Sequence, residues 1–547
     1  MPLSIGRAGF KPAPTQSFFL GGAFLGKAIS FLIACLVSAP IVVILASWRT
    51  PMDDAFLHLL TTELEGVLVN TFYLMSGVAV GTTLLGVSLA WLTAALEFPG
   101  RSLFNWALVL PLAIPTYVLA FVNIALFDVT GPIAIPGIRG TFGIIFVMTM
   151  ALYPYVYLLA RNGFLTASAR ATEVAQSLGH TPLHAFFKVA LPMAQPMILS
   201  GLLLALMETL SDFGAVSIFN YDTLTTTLYK AWFSMFSLNA AAKFSSLLVV
   251  LVFMALWFEQ KVRQGKRYIP VEKQPSPVAR VPLTGTPRFL ASAYCFIVLF
   301  LAFIVPVLYL SISAYADLSQ DLDSRYFGLL GRSLGLSTMA ALLVVASALV
   351  IAYTSRYSKT VATATSGIQL PLVAVKTIGI TFMVKLATLG YALPGAILAV
   401  GGIIMVTFLD HQLKTGLFLT GTLFAMMLGY LARFLALAHN PIESAMHRIT
   451  PHIDETARSL GLNSFNILRK VQIPLLKKGI MVGGLLVFVD VMKEMPITLM
   501  TRPFGWDTLA VKIFQFTAEG DWDRATLPAI TLVLFSLIPV IFLEKST

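Results

Sequence analysis

Four carboxylates occupy matching positions in two apolar segments of this 547-residue chain. They are Glu208, Asp212, Asp490 and Glu494. The first and second acid of each pair follow a proline, Pro192 or Pro474, by 16 and 20 residues, which in a helix is about 24 and 30 Å. The i, i+4 spacing places both acids of a pair on one helix face. Acidic groups at membrane depth face a bundle interior or a wet cavity, and their oxygens suit a hard cation, so the pattern predicts a transport pathway or its gate.

A local structural role is the alternative for these acids. Lys493 lies three residues from Asp490, so the second pair can be neutralised within its own helix. Carboxylates also cap helix ends, which needs no cargo. The two cysteines, Cys35 and Cys295, lie in apolar segments without a CxxC or Cys/His cluster. The sequence therefore predicts neither a disulfide nor a metal site.

The composition is that of a membrane protein. Hydrophobic residues make up 57% of the chain and charged residues 12%, with a mean hydropathy of +0.84. The apolar segments are long enough to cross a hydrocarbon core of about 30 Å, and a chain in lipid must pair its backbone groups within helices. The net charge of +11 comes from basic residues scattered through the loops between spans, where topology favours them. We therefore expect a polytopic helical protein in contact with lipid, and no nucleic-acid partner.

The apolar segments predict about six spans in each half of the chain. The predicted spans are 24–47, 67–93, 104–127, 141–160, 192–216 and 241–258, then 289–312, 333–353, 366–390 or 391–409, 414–437, 475–500 and 525–543. The region 366–409 fits either one span with a re-entrant piece or two spans, because Lys376 and Lys385 interrupt it.

Charge in the loops predicts the orientation of the halves. Residues 259–288 contain seven Lys/Arg against two Glu and five prolines, which indicates a flexible cytoplasmic linker. It joins a first membrane half, 24–258, to a second, 289–547. Residues 1–23 are predicted to be a cytoplasmic tail, followed by an uncleaved first span rather than a signal peptide. The loop after that span has one Arg against four carboxylates and is predicted to be external.

The chain repeats itself at an offset of 282 residues. The stretch "TEVAQSLG" at 172–179 matches "DETARSLG" at 454–461, and both are followed 13 residues after the glycine by a proline. Two polar loops on the same side of the membrane require an even number of spans between them. The halves are therefore predicted to be parallel repeats related by an axis along the membrane normal.

Each polar loop has helix signals on both sides of its glycine. We call residues 165–192 the first polar loop and 447–474 the second. An N-cap at Ser168 or Thr450 predicts a first helix, and Gly179 or Gly461 suits the left-handed residue that ends it. A second helix is predicted from Pro182 or Ser464, before the proline that returns the chain to the membrane. The result would be a short helix-turn-helix on the cytoplasmic face that presents a docking surface. A partnerless amphipathic linker is the alternative for one loop alone, but it does not account for two matched copies.

The sequence contains none of the motifs that would let the chain hydrolyse ATP. The Gly-Lys pairs at 26–27 and 265–266 lack the Ser/Thr and the strand-to-helix context of a phosphate-binding loop. No paired His/Glu metal helix and no G-x-S-x-G turn occurs either. We therefore predict a transporter subunit rather than an enzyme, with any ATP and magnesium bound by a separate subunit.

The polar loops resemble the EAA loops of ABC-importer membrane subunits, written roughly E-A-A-x-x-x-G before a proline. This chain departs from that pattern at Val174 and Thr456, which replace the first alanine. The resemblance covers most of the chain and is strongest at 161–232 and 433–530, where it is most similar to fused, two-half ferric-iron permeases. It implies the MetI-like, type I importer fold in a bacterial inner membrane.

The resemblance also implies partners and residue roles. Each loop would insert into a cleft on one of two cytoplasmic ATPase subunits, and an external or periplasmic binding protein would deliver ferric iron. The implied coupling residues are Glu173, Ala175, Gly179, Glu455, Ala457 and Gly461. The glutamates would pair with the ATPase, and the glycines would permit the tight turn. Thiamine, a phosphonate or another small solute is the alternative cargo, and a secondary transporter driven by an ion gradient is the alternative class.

Overall fold

The computed structural model describes residues 16–129, 131–168, 174–175, 177–264, 280–318, 322–364 and 370–546. Helices dominate these residues, as expected where lipid offers the backbone no hydrogen-bond partner. The described strands are β1 (Leu96–Glu97) and β2 (Val281–Pro282), which pair in parallel. The prediction of an all-α membrane fold is confirmed, and this short pair joins the end of the linker to the first half.

The first half contains eleven described α-helices. They are α1 (Gln16–Ala46), α2 (Asp54–Thr62), α3 (Leu64–Ala95), α4 (Arg101–Ala107), α5 (Thr116–Phe127), α6 (Thr141–Gly163), α7 (Pro182–Ala185), α8 (Leu191–Ser211), α9 (Gly214–Ile218), α10 (Leu224–Phe233) and α11 (Leu238–Gln264).

The second half contains twelve described α-helices in a similar order. They are α12 (Thr286–Leu299), α13 (Val305–Ala316), α14 (Ser324–Ala364), α15 (Leu370–Thr388), α16 (Gly395–Leu413), α17 (Phe424–His447), α18 (Pro451–Ser459), α19 (Ser464–Ile467), α20 (Ile473–Lys493), α21 (Pro496–Thr501), α22 (Leu509–Glu519) and α23 (Trp522–Ser546).

Eight helices in the described part of the chain are long and apolar enough to cross a membrane. They are Gly26–Arg49, Leu64–Ala95, Thr141–Thr166, Phe186–Ser211, Leu238–Phe258, Thr286–Ala316, Ser324–Arg356 and Gly395–Leu413. The bent pair Arg101–Ala113 and Thr116–Phe127 makes nine if it counts as one span. The other three predicted spans overlap α17, α20 and α23, which have 24, 21 and 25 residues.

Two predicted spans are broken by a proline. The predicted span 104–127 is not one continuous helix, because the chain bends by 91° between its two helical pieces. Ile114 and Pro115 adopt extended backbone at the bend, as expected for a residue before proline and for the proline itself. Leu393 and Pro394 repeat this geometry in the second half. The ambiguous region 366–409 is accordingly two helices, α15 and α16.

The predicted span 414–437 is displaced towards the C-terminus, because residues 414–423 form a loop before α17. Lys414 has a positive φ of 53° and ends α16. The carboxylate of Asp410 then organises the loop by accepting hydrogen bonds from the backbone N–H groups of Leu419 (2.9 Å) and Thr420 (2.8 Å). Local polar contacts therefore set this boundary, which hydropathy alone placed too early.

The corresponding loop of the first half is also organised by an aspartate. Asp128 lies 282 residues before Asp410. Its carboxylate accepts a hydrogen bond from Arg139 Nε at 2.9 Å and pairs with the same guanidinium at 2.8 Å. That hydrogen bond holds the pKa of Asp128 below its usual value. The repeat thus extends to a second pair of loops that the sequence comparison did not identify.

The two halves run parallel. α8 and α20 each begin at a polar loop and end near the same stretch of the first half. Thr116 donates a hydrogen bond to Asp212, just after α8, and Lys493 at the end of α20 donates one to the carbonyl oxygen of Leu112. Because both helices end beside residues 112–116, their polar loops lie on one side of the molecule, as predicted.

The first and last helices of each half pack against the other half. Buried residues of α1, α2, α10 and α11 belong to one apolar core with α14, α16, α17 and α20. Buried residues of α12, α13, α22 and α23 belong to a second core with α3 to α6, α8 and α9. Hydrogen bonds also join the two halves, as between Ser30 and Thr354 (3.0 Å) and between Ser88 and Tyr294 (2.7 Å). The halves are therefore interlocked rather than packed as separate bundles.

Candidate functional site

All four predicted carboxylates line one cavity between the halves. Its volume is about 170 Å³. The polar and charged side chains on its wall are those of Thr116, Tyr117, Tyr155, Glu208, Ser211, Asp212, Tyr391, Arg433, Asp490, Lys493 and Glu494. We call this space the acidic cavity. The structure brings the two acidic pairs together, which spacing along the sequence could not establish.

Asp212 caps the short helix that follows it. α8 ends at Ser211, and Oδ1 of Asp212 accepts hydrogen bonds from the backbone N–H groups of Ala215 (2.9 Å) and Val216 (3.3 Å). Its Oδ2 accepts from Thr116 Oγ1 at 2.5 Å. Asp212 is thus fixed at the start of α9 and joins it to the bend before α5. Asp212 therefore has the helix-capping role that the sequence offered as the alternative to a pathway role.

Glu494 has the same capping role with an added cation. Its Oε1 accepts a hydrogen bond from the backbone N–H of Ile497 at 3.0 Å, at the start of α21. Its Oε2 lies 3.3 Å from Nε of Arg433, and 6% of its side chain is exposed. Arg433 also donates to the carbonyl oxygen of Leu393 at 3.2 Å. This buried ion pair therefore connects α17, the break before α16 and the end of α20.

Asp490 and Lys493 join the second half to the first. Their side chains form an ion pair at 3.5 Å within α20. Lys493 Nζ also donates to the carbonyl oxygen of Leu112 at 3.4 Å, and Tyr117 donates its hydroxyl to the carbonyl oxygen of Lys493 at 3.4 Å. The ion pair expected from sequence is present, and it lies at the contact between the halves.

Glu208 differs from the other three acids. It occupies the last turns of α8 on the cavity wall, and it makes no hydrogen bond or ion pair among the residues that the structure describes. The wall as a whole has four carboxylates against the two cations Arg433 and Lys493, which leaves a formal charge of −2. The cavity therefore presents an excess of negative charge with one carboxylate available to a solute.

Two glycines allow the backbone to approach the cavity closely. A Cβ atom at Gly395 would lie 2.6 Å from Oε1 of Glu494. A Cβ atom at Gly214 would lie 2.7 Å from Cβ of Tyr117 and 2.9 Å from Cε of Met495. Both glycines begin the helix after a break, so a larger residue at either position would separate the walls.

The sequence analysis did not predict that Arg433 and the tyrosines line the cavity. Arg433 lies in an otherwise apolar part of α17, and an intramembrane arginine is itself a signal of function. The residue 282 positions earlier is Ala151, so the two halves differ here. Within the described ranges, His, Cys, Asp and Glu side chains form no group of three or more that could hold a metal ion.

The second polar loop begins as predicted. Thr450 precedes α18, which starts at Pro451, and Gly461 follows with a φ of +82°. The N–H of Leu462 donates to the carbonyl oxygen of Ala457 at 3.1 Å, which is the bond of a Schellman turn. Ala457 is buried, whereas the side chain of Glu455 is 64% exposed and lies 3.1 Å from His452.

The first polar loop has the same turn. Gly179 has a φ of +89°, and the N–H of His180 donates to the carbonyl oxygen of Ala175 at 3.1 Å. Ala175 is buried like its counterpart in the second loop. Glu173 lies outside the described residues. The predicted left-handed glycines are thus present in both loops, and the alanines face inwards.

The predicted second helix of each loop is not a separate element. α7 and α19 start at Pro182 and Ser464 as expected, but each continues through a π-helical turn into the next span. The π turns occupy Phe186–Ala190 and Leu468–Gln472, at the same place in the repeat. A π turn shifts the hydrogen bonds by one residue, so the proline that follows does not end the helix. The loop is a short helix and a turn attached directly to a span.

Comparison with known proteins agrees with this arrangement. A model of the binding-protein-dependent transport system inner membrane component matches residues 82–264. An Fe(3+)-transport system permease protein of Haemophilus influenzae is 28% identical over 513 residues, which cover 92% of this chain and 94% of the relative. Residues 82–264 thus carry the domain of a binding-protein-dependent ABC importer permease, and the similarity to such permeases spans both halves of the chain.

Two further relatives show the breadth of the family. A probable ABC transporter permease protein of Sinorhizobium fredii is 23% identical to the permease over 567 residues, with 96% of each chain covered. A molybdate/tungstate transport system permease protein of Pyrococcus abyssi is 28% identical over 232 residues, which cover 41% of the permease and 89% of the relative. The long matches span both halves, in keeping with a fused permease most like the ferric-iron permeases.

Family membership fixes the general role of the chain. The permease is a multi-pass inner-membrane component of a transporter and not an enzyme. Membership also implies an external solute-binding protein and an ATPase as partners.

Proposed function

We propose that the acidic cavity is part of the translocation pathway for ferric iron, which an external binding protein delivers. The observation that carries this proposal is the formal charge of −2 on the cavity wall. The pathway would lie between the two halves, 24–258 and 289–547, which the linker 259–288 connects. Glu208 is the carboxylate most available to a passing cation, because the other three are engaged in caps or ion pairs.

The sign of the charge supports a cation over an oxyanion. At an effective dielectric constant of about 20, a unit charge 4 Å away changes the energy of an ion by about 4 kcal/mol. Two excess negative charges therefore separate a cation from an oxyanion by several kcal/mol. Carboxylate and phenol oxygens are also ligands that a hard cation such as ferric iron prefers.

An oxyanion is the second candidate cargo, because the molybdate/tungstate permease of Pyrococcus abyssi matches one half of the chain. Arg433 and Lys493 would then be the recognition groups. Both cations are already paired with Glu494 and Asp490, at 3.3 and 3.5 Å. An oxyanion would have to displace those carboxylates, and the proposal favours the cation for this reason.

We further propose that two copies of a cytoplasmic ATPase dock on the polar loops. The inward alanines would hold each loop on the membrane helices, while Glu173 and the exposed Glu455 would pair with the ATPase. Gly179 and Gly461 would keep the turn tight. Closure of the ATPases on ATP and magnesium would then move the loops and open the cavity outwards.

Uptake in cells that contain only this permease of its class tests the cargo. Radioactive ferric iron should accumulate and molybdate should not, and accumulation should depend on the ATPase and survive collapse of the proton gradient. Accumulation of molybdate but not iron would refute the cation proposal. Iron uptake that persists without an ATPase but ends with the gradient would refute the coupling proposal.

Co-purification tests the docking role of the loops separately. Replacing both Glu173 and Glu455 with alanine should reduce the ATPase recovered with the permease. The matched control is Glu519→Gln, which alters an exposed glutamate just before Gly520. Equal recovery of the ATPase with the wild-type and the doubly substituted permease would refute the docking role.

A further inference from the structure

One arginine ties the second polar loop to α14. Arg356 lies near the end of that 41-residue helix. Its guanidinium donates to the carbonyl oxygens of Met446 (2.6 Å), Ile449 (2.8 Å) and Thr450 (3.4 Å). It also contacts Oδ2 of Asp454 with Nη2 at 3.0 Å and Nε at 3.3 Å. A single side chain thus holds the end of α17, the start of α18 and the turn between them.

Asp454 extends this contact to a third helix. Its Oδ1 accepts a hydrogen bond from Nε2 of Gln472 at 2.9 Å. Gln472 is 2% exposed and ends the π turn that leads into α20. The side chains of Arg356 and Asp454 are each 14% exposed. The ion pair is therefore largely shielded from water, and removal of one partner would leave a charge with little compensation.

The contacts define two faces of α18. Asp454 and Ala457 point towards the membrane helices, whereas Glu455 between them points outwards. The inward face is held by α14 and α20, and the outward face is the one proposed to meet the ATPase. A force applied to the outward face is thus resisted by an ion pair on the opposite face.

The first half lacks these residues. Subtracting 282 from Asp454 and Gln472 gives Thr172 and Ala190, neither of which can reproduce the network. The start of the first loop's span is held instead by aromatic packing, with the rings of Trp91 and Phe186 at 4.8 Å and those of Trp91 and Phe164 at 5.3 Å. The loops therefore match in turn geometry but differ in attachment.

α14 also reaches the opposite side of the second half. Ser333 Oγ accepts a hydrogen bond from the backbone N–H of Leu509 at 2.9 Å, where α22 begins. Ser333 and Arg356 are 23 residues apart in one helix, which corresponds to about 34 Å. The helix α14 thus contacts the second polar loop near one end and the start of α22 nearer the other end.

We infer that Arg356, Asp454 and Gln472 form an ionic clamp that makes the second polar loop, α14 and α20 move as one body. Among the described residues, the contacts at the start of the first loop's span are the aromatic ones of Trp91, so we expect the two loops to transmit ATPase motion differently. The clamp residues are positioning residues, since they act through the loop and not on cargo. The inference rests on the proposed docking of the ATPase, but the rigidity of the loop can be measured without that subunit.

The test compares hydrogen exchange in the purified permease with coupling in the full transporter. Asp454→Asn removes the charge with little change in shape. The second variant combines Arg356→Gln with Asp454→Asn, which leaves no uncompensated charge and guards against a folding failure. Trp91→Leu is the matched control, because it disturbs the attachment of the first loop only.

Both clamp variants should raise exchange in the second loop at least about tenfold while the first loop stays as in the wild type. ATP hydrolysed per ion transported should rise at least about twofold with normal recovery of the ATPase. Trp91→Leu should raise exchange in the first loop alone. Unchanged exchange in the second loop of the double variant, or raised exchange with unchanged coupling, would overturn the clamp. If replacing Glu455 with alanine leaves ATPase recovery unchanged, the docking role is refuted and the clamp is not. The two results are independent because hydrogen exchange is measured without the ATPase.

Discussion

The buried ion pair at the acidic cavity provides a quantitative test of the structure. Arg433→Gln leaves Glu494 with 6% of its side chain exposed and, among the described residues, no other cation within 4 Å to replace the guanidinium. Breaking a buried pair by removing one partner costs about 3–5 kcal/mol. Glu494 keeps its hydrogen bond from the N–H of Ile497, so we expect the lower end, about 3 kcal/mol. That is a factor of about 150 in the ratio of folded to unfolded protein.

The expected effect on melting follows from the size of the chain. With an unfolding entropy of about 2.1 cal/mol/K per residue, 547 residues give about 1.1 kcal/mol/K. A loss of 3 kcal/mol then lowers the midpoint by at least about 3 °C, and by more where the helices stay formed on unfolding. Fluorescence-detected size exclusion after heating in detergent measures this midpoint.

Two further variants show whether the loss comes from the unpaired charge. Arg433→Gln combined with Glu494→Gln should recover most of the midpoint, since both charges are removed together. Arg139→Gln breaks an ion pair whose arginine is 44% exposed, and it should change the midpoint by less than 1 °C. A double variant that melts no higher than Arg433→Gln alone would refute the reasoning, as would equal effects of Arg433→Gln and Arg139→Gln.

Three other predictions concern the turns and loops. Gly461→Ala places a side chain at a φ of +82° and should lower the free energy of unfolding by about 1–2 kcal/mol. Gly137→Ala, at a φ of +79° in the outer loop, should lower it by the same amount in thermal melting. Only Gly461→Ala should reduce the recovery of the ATPase. Gly395→Ala should destabilise more than either and slow uptake, because its Cβ would lie 2.6 Å from Oε1 of Glu494 and displace the ion pair. The pKa of Asp128 is lowered in the folded protein, so its ionised form stabilises the fold at pH values above the ordinary carboxyl pKa of 3.8. This contribution is lost as the pH falls through the lowered pKa. The difference in melting midpoint between the wild type and Asp128→Asn should therefore be largest at neutral pH and shrink in acid.

Much of the site follows from residue types and spacing. The helix signals on both sides of Gly179 and Gly461 predicted the turns at these glycines, because a helix commonly ends at a left-handed residue. The matching distances of the acids from Pro192 and Pro474 predicted that they lie at one depth. These are local or periodic features, which a single sequence records directly.

The contacts between distant parts of the chain could not be predicted in this way. Nothing in the sequence shows that α1 packs against the second half or that α12 and α13 pack against the first, since apolar helices in lipid are alike in composition. The roles of Asp212 and Glu494 as caps depended on breaks after Ser211 and Lys493 that hydropathy does not detect. Arg433 lies among apolar residues of α17, and its role is clear only from its ion pair with Glu494 and its hydrogen bond to the carbonyl oxygen of Leu393.

The central claim is that the carboxylates of the acidic cavity conduct a cation. Its most direct test is ferric-iron uptake by a permease with Glu208→Gln and Asp490→Asn, at equal amounts of permease and recovered ATPase. We predict a fall of at least about tenfold in the uptake rate, equivalent to about 1.4 kcal/mol, because the wall loses two of its four negative charges. Uptake and ATPase coupling at wild-type levels in this variant would contradict the claim.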